Sequence, residues 1–225
     1  MLRAEPTKFQ KAAQTIKTSW LLFLAHISGI YFLFQIGWRI LTARWFDPIR
    51  QSTTLTGKLA IAYLLLSLAC TPLNAITGWT KIIRARKPLG LYAFWFALIH
   101  GLIFTAWDYQ LNLPLLFDNL KYQRYVLMGM ASFIVLLGLA MSSNVSIRKK
   151  MGKLWRYVQR SVYVAALLAV VHIIWLRKIP QQSVREIVIL AVLFLLRVPW
   201  VKNAIIRFRK SFQRGDTAGE SETKP

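Results

Sequence analysis

Apolar residues in this chain gather in six long runs, at about Thr18–Trp38, Gly57–Ala75, Leu89–Trp107, Arg124–Ser142, Val158–Leu176 and Val184–Val201. Each run is close to the ~20 residues that a helix needs to cross a hydrocarbon layer of about 30 Å. Backbone polar groups find no water in that layer, so such runs are expected as helices that satisfy their own N–H and C=O groups. The pattern predicts an all-α integral membrane protein: a segment over 1–17, then a six-transmembrane-helix bundle over 18–201. Past the last run, Ile205, Phe208 and Phe212 recur at helical spacing with Arg207, Arg209 and Lys210 between them. That spacing predicts a basic interfacial helix over 202–214. Residues 215–225, from Gly215 onward, are polar and read as a disordered tail.

Composition supports this reading: 56% of the 225 residues are hydrophobic, 13% are aromatic, and the mean hydropathy is +0.42. A formal charge of +22 would suggest a nucleic-acid partner in a soluble domain. Here the cations lie mainly between the apolar runs, where they meet anionic inner-leaflet lipids and set topology. Twenty Lys and Arg fall on the side that carries the N-terminal lysines, the Lys81–Lys87 cluster, the Arg148–Arg160 cluster and the tail from Lys202, against nine on the other side. The positive-inside rule then places both termini in the cytoplasm, with no nucleic acid implied. The connections at Arg39–Thr56, Asp108–Gln123 and the turn at 177–182 with Pro180 face outward, and none is long enough for a domain. Lys8, Lys11 and Lys17 precede the first run with no small-residue cleavage site after it, so that run reads as an anchor.

The single Cys70 excludes an intramolecular disulfide and a cysteine-held metal cluster. Redox chemistry would need another carrier, and two of the three histidines suggest one. His100 and His172 end the same local pattern, Ala93-x3-Ala97-x2-His100 and Ala165-x3-Ala169-x2-His172. Residues three and seven positions before a helical histidine share its face, so each imidazole would stand over a narrow alanine strip against which a flat haem could lie. Counting the helical rise from Lys87 and from Arg160 puts the histidines roughly 20 Å and roughly 18 Å deep, at one level in the outer half of the membrane. Two neutral imidazoles there suit axial ligation of a haem iron, walled by Phe96, Phe104, Leu168 and Trp175. Small-residue helix packing, with each histidine bonded to a neighbouring helix, explains the same pattern without a cofactor.

His26 lacks the strip, having Ser19 and Phe23 at the equivalent offsets; it reads as a packing residue or as part of a second site. None of the eight acidic residues falls in the middle of a run, Asp108 and Glu186 sitting at outer ends, which counts against an ion-coupled transporter. Arg197, near the inner end of the sixth run, is expected to snorkel to the headgroups. No phosphate loop or nucleotide fingerprint is present.

In order and spacing the chain resembles the MsrQ family, the membrane haem subunits of the bacterial periplasmic protein-methionine-sulfoxide reductase system, within the wider ferric-reductase-like transmembrane group. The resemblance runs from about Thr18 to Ile205. It rests on Asp47-Pro48, Thr56-Gly57, Thr71-Pro72-Leu73, Arg86-Lys87-Pro88-Leu89-Gly90-Leu91, His100, Ser142-Ser143, Gly152-Lys153-x-Trp155, Val162-Tyr163 and His172-x-x-Trp175. It implies a six-helix bundle of ferric-reductase-like type in a bacterial inner (plasma) membrane, with His100 and His172 as axial ligands of the iron of a haem b. It also implies association with FMN, and transfer of respiratory-chain electrons from a quinol to a periplasmic molybdopterin-containing reductase that repairs oxidised methionines. The catalytic step would belong to that partner.

Two positions depart from the family, which usually has histidines where this chain has Thr54 and Gln159. Three arrangements stay open on the inner side: one haem only, a second site using His26 and Gln159, or an inner flavin or quinone. Two other functions also fit the residues: a ferric-reductase-type oxidoreductase fed by a separate flavin reductase, and a haem-free membrane scaffold.

Overall fold

The computed structural model describes residues 8–42, 47–120, 122–177 and 183–222. Ten helices and no strand are found among them: α1 (Lys8–Leu41), α2 (Pro48–Thr77), α3 (Ile82–Asp108), α4 (Leu113–Asn119), α5 (Arg124–Ser142), α6 (Val145–Met151), α7 (Leu154–Arg160), α8 (Val162–Arg177), α9 (Val184–Leu195) and α10 (Pro199–Glu222). Five stretches are long and apolar enough to cross a membrane: Trp20–Trp38, Ile49–Thr77, Ile82–Asp108, Arg124–Ser142 and Leu154–Arg177. The turn expected around Pro180 and the last three residues lie outside the described residues.

The sixth apolar run is divided. α9 has 12 residues, about 18 Å of helix, and a turn separates it from α10. Pro199 supplies the reason: it has no N–H to offer Leu195, and its ring crowds the carbonyl four residues back. The second helix begins earlier than its apolar run. Asp47 caps it, its Oδ1 accepting the Arg50 N–H at 3.1 Å, and Pro48 occupies the first turn. Both are helix-start residues, so the segment from Pro48 to Thr56, expected as loop, is helix. The connection at 108–123 likewise holds α4, capped by Asn112. α10 continues as helix through Gly215 to Glu222, past the point where a disordered tail was expected; once a helix is nucleated, each further residue fixed gains a backbone bond.

α2 is the axis of the bundle. Buried residues make up 56% of its apolar window, against 17–28% in the other four spans. Leu64, Leu68, Phe96, Ala93, Leu136, Ala165 and Leu190 bring α2, α3, α5, α8 and α9 into one core. The outward faces carry large apolar side chains, with Phe23, Phe34 and Ile134 each more than 60% exposed, as a lipid surround requires.

Cations close the freed helix carbonyls at the end of the bundle away from the α3–α5 connection. Pro72 lies inside α2 and donates nothing to the carbonyl of Leu68. Arg197 fills that vacancy: its guanidinium donates to the Leu68 carbonyl and to the Tyr163 hydroxyl, and lies over the Tyr163 ring at 4.8 Å. It is therefore turned into the bundle instead of snorkelling outward, because an unpartnered carbonyl stands within its reach. Arg209 of α10 donates to the carbonyls of Asn74 and Ala75 in the last turn of α2. Lys87 and the Trp155 indole do the same for Ser143 and Ser142 at the end of α5, at 3.0 Å each.

Candidate functional site

His100 projects from α3 towards α2, and His172 from α8 towards α5. The Nδ1 of His100 lies 2.9 Å from the Thr53 carbonyl oxygen, and the Nδ1 of His172 lies 2.6 Å from that of Tyr125. A carbonyl only accepts, so in both rings the Nδ1 carries the proton and the Nε2 lone pair is left for another partner. The ring centroids are 6.3 Å apart, with the ring planes at 83°.

That distance suits two ligands of one metal. A metal–imidazole bond of about 2.0–2.1 Å, with roughly 1.2 Å more to each ring centre, would let both rings reach one metal from this separation. No group of three or more His, Cys, Asp or Glu that could hold a metal ion is found among the described residues. A bare ion would want three or four protein ligands, so a metal held by this pair must bring its other ligands with it, as the iron of a macrocycle does. The residues present fit a haem.

Each ring lies against a glycine. A Cβ on Gly57 would stand 3.1 Å from the Nδ1 of His100, and one on Gly129 would stand 2.7 Å from the Nδ1 of His172. Next to Gly57, the hydroxyl of the fully buried Thr56 turns back to the carbonyls of Ser52 and Thr53 at 2.8 and 3.0 Å. The Thr56-Gly57 pair thus keeps the α2 surface flat beneath His100. Gly129, Thr53 and Tyr125 drew no notice as site residues in the sequence. Their signal is a glycine 43 residues before each histidine, at 57 and 100 and again at 129 and 172.

The alanine strips differ from expectation at their far ends, while Ala97 and Ala169 nearer the histidines are only partly buried. Ala93 and Ala165 are 0% exposed within the helix core, so no flat group lies on them. Small side chains there bring helices close enough for the Ser132 hydroxyl of α5 to donate to the Ala165 carbonyl of α8 at 2.8 Å. The expected apolar walls also divide. Phe96 is buried against Tyr63 at 5.2 Å and Phe104 packs on Tyr109 at 5.2 Å, while Trp175 is half exposed and Leu168 partly buried. The ring that does approach the pair is Tyr125, 5.9 Å from His172.

His26 and Gln159 are not brought together. His26 sits on α1 with its Nδ1 3.1 Å from the Tyr92 hydroxyl of α3, and Gln159 on α7 donates to the Ser142 hydroxyl at 2.9 Å. Thr54, where the family usually has histidine, is exposed on α2. Beyond His172, a cavity of about 370 Å³ is lined by Phe104, Asp108, Tyr109, Leu115, Gln123 and Tyr125. The Tyr125 hydroxyl donates to Gln123 Oε1 at 2.8 Å on its wall.

Residues 56–170 match the family model described as the ferric reductase like transmembrane component. The matched stretch holds His100, Gly57 and Gly129 and ends two residues before His172. The chain is also similar to a protein of Herminiimonas arsenicoxydans named protein-methionine-sulfoxide reductase heme-binding subunit MsrQ. The two are 30% identical over 182 residues, which is 79% of this chain and 81% of that one.

Proposed function

Because this chain belongs to the MsrQ family of haem-binding subunits, within the ferric-reductase-like transmembrane group, we propose that it holds one haem b between His100 and His172 and passes electrons across part of a bacterial inner membrane. The observation that carries this reading is the pair of imidazoles 6.3 Å apart with both Nδ1 atoms already committed to carbonyls. A haem held there supplies reversible one-electron transfer at its iron.

The protein's own residues do the rest. Thr53 and Tyr125 orient the rings, and the core around Ala93 and Ala165 keeps water away from one side of the pair. His100 and His172 would both hold the haem iron, which suits electron transfer more than chemistry on oxygen or a sulfoxide, so the catalytic step is assigned to a partner. By the family role, the donor is a respiratory-chain quinol, FMN is an associated cofactor, and the acceptor is a periplasmic molybdopterin-containing methionine sulfoxide reductase. The uneven distribution of Lys and Arg supports six spans, the divided α9–α10 run being the last, with both termini in the cytoplasm and the inner face against anionic lipids. His26 on α1 and Gln159 on α7 are held by different partners and are not brought together, which favours one haem over two.

An absorption spectrum of the detergent-purified protein tests the proposal: a b-type haem spectrum is expected in the wild type and its loss in both His100→Ala and His172→Ala. Full haem retention in both variants overturns it, and a colourless wild type favours a haem-free scaffold. The family match also admits a ferric-reductase-type oxidoreductase. Reduction of the haem by NADH with a soluble flavin reductase, where a quinol fails, would favour that role.

A further inference from the structure

The two imidazoles are held by one device used twice. In each case a carbonyl at position i of a neighbouring helix takes the Nδ1 proton, and the residue at i+4, one turn on and on the same face, is glycine. Thr53, Gly57 and His100 recur 72 residues later as Tyr125, Gly129 and His172, and Ala93 and Ala97 recur in the same register as Ala165 and Ala169. The pairs α2–α3 and α5–α8 therefore present the same half-site, yet the rings they hold are crossed at 83°.

The glycines at these places are there for clearance. A Cβ on Gly129 would fall 2.7 and 2.9 Å from Nδ1 and Cε1 of His172, closer than side-chain carbons approach; on Gly57 the distances to His100 are 3.1 and 3.2 Å. A Cβ on Gly138 of α5 would meet nothing within 4 Å. Glycine inside a helix is destabilising relative to alanine, so one that gives only ring clearance has its reason in the position of the ring.

We propose that Gly57 and Gly129, with the carbonyls of Thr53 and Tyr125, are positioning residues that fix both histidines as Nδ1–H tautomers and hold their planes near perpendicular. The proposal rests on the reading that this site takes a haem. If a haem were held by these crossed rings, its ferric low-spin form would show a strongly anisotropic resonance with one dominant low-field line. Parallel planes would give a rhombic three-line spectrum.

The test uses the full-length protein in detergent. In the haem-free form, nitrogen NMR of the labelled imidazoles should show His100 and His172 as Nδ1–H tautomers; the Nε2–H form in either overturns the proposal independently of haem. In the haem-loaded ferric form, electron paramagnetic resonance should show the single low-field line. Gly129→Ala should retain haem, move that line towards the rhombic pattern and shift the midpoint potential. Gly57→Ala should do so less, and Gly138→Ala should match the wild type. A wild-type resonance and potential in both Gly129→Ala and Gly57→Ala overturn the proposal. If Gly129→Ala loses haem, Gly57→Ala, which needs a displacement of only a few tenths of an ångström, carries the same comparison alone. Absence of haem from the wild type would defeat the functional reading, and the tautomers would still decide the cradle.

Discussion

Tyr125 meets His172 twice: its carbonyl oxygen lies 2.6 Å from Nδ1, and its ring centroid lies 5.9 Å from that of the imidazole. The first contact belongs to the backbone and survives substitution, whereas the second belongs to the side chain that also lines the neighbouring cavity. Tyr125→Phe should therefore leave haem content and potential near wild type. Tyr125→Ala should keep the haem but admit water beside His172, which favours the more highly charged ferric state. A fall in midpoint potential on the order of tens of millivolts is expected by redox titration. Equal potentials in the two variants would show that the ring does not screen the site.

Arg197 substitutes for a helix bond that Pro72 cannot make. Arg197→Met should leave the Leu68 carbonyl and the Tyr163 hydroxyl without their donor and lower stability by about 1–3 kcal/mol, read as a lower thermal midpoint in detergent. In a Pro72→Ala background the restored N–H can serve Leu68 itself, so the same substitution should cost less. The coupling in this double-mutant cycle should reach at least about 0.5 kcal/mol.

Glu186 is 4% exposed and bridges Arg177 at the end of α8, 3.3 Å away, and its own neighbour Arg185 at 2.9 Å. Arg185 is 75% exposed, so Arg185→Ala should change stability by less than about 0.5 kcal/mol. Glu186→Gln removes the buried member, and its cost should be about 1–3 kcal/mol by the same thermal measurement.

Arg209 joins α10 to the last turn of α2, beside Gly78, whose φ of 74° lies in the left-handed region. Arg209→Ala should raise amide hydrogen exchange in α10 several-fold while exchange in α3 and α5 stays unchanged. Gly78→Ala should act in the same direction, since its Cβ is strained by that φ and would stand 3.0 Å from the guanidinium.

Much of this arrangement can be read in the sequence where the physics is local. Five of the six apolar runs fall in stretches long and apolar enough to cross a membrane, and counting helical rise from Lys87 and Arg160 puts His100 and His172 at one level, where their rings are found 6.3 Å apart. The helix-start signal at Asp47-Pro48 and the break at Pro199 are equally local, but hydropathy alone does not register them. Other relationships depend on contacts between distant segments. That Arg197 turns inward follows from a carbonyl freed by a proline over a hundred residues away, which no periodicity reports. Ala93 and Ala165 share a face with their histidines, as spacing shows, but spacing does not show that neighbouring helices cover them.

The repeat at 72 residues also bears on how such a protein is made. Each helix pair contributes one imidazole, so α2–α3 enters the membrane carrying only half of a grip, and the other half does not exist until residue 172 has been synthesised. On the proposed reading, haem capture becomes a checkpoint on completion of the chain: a product cut short after α5 can insert, but it has nothing with which to close the second hand and stays colourless.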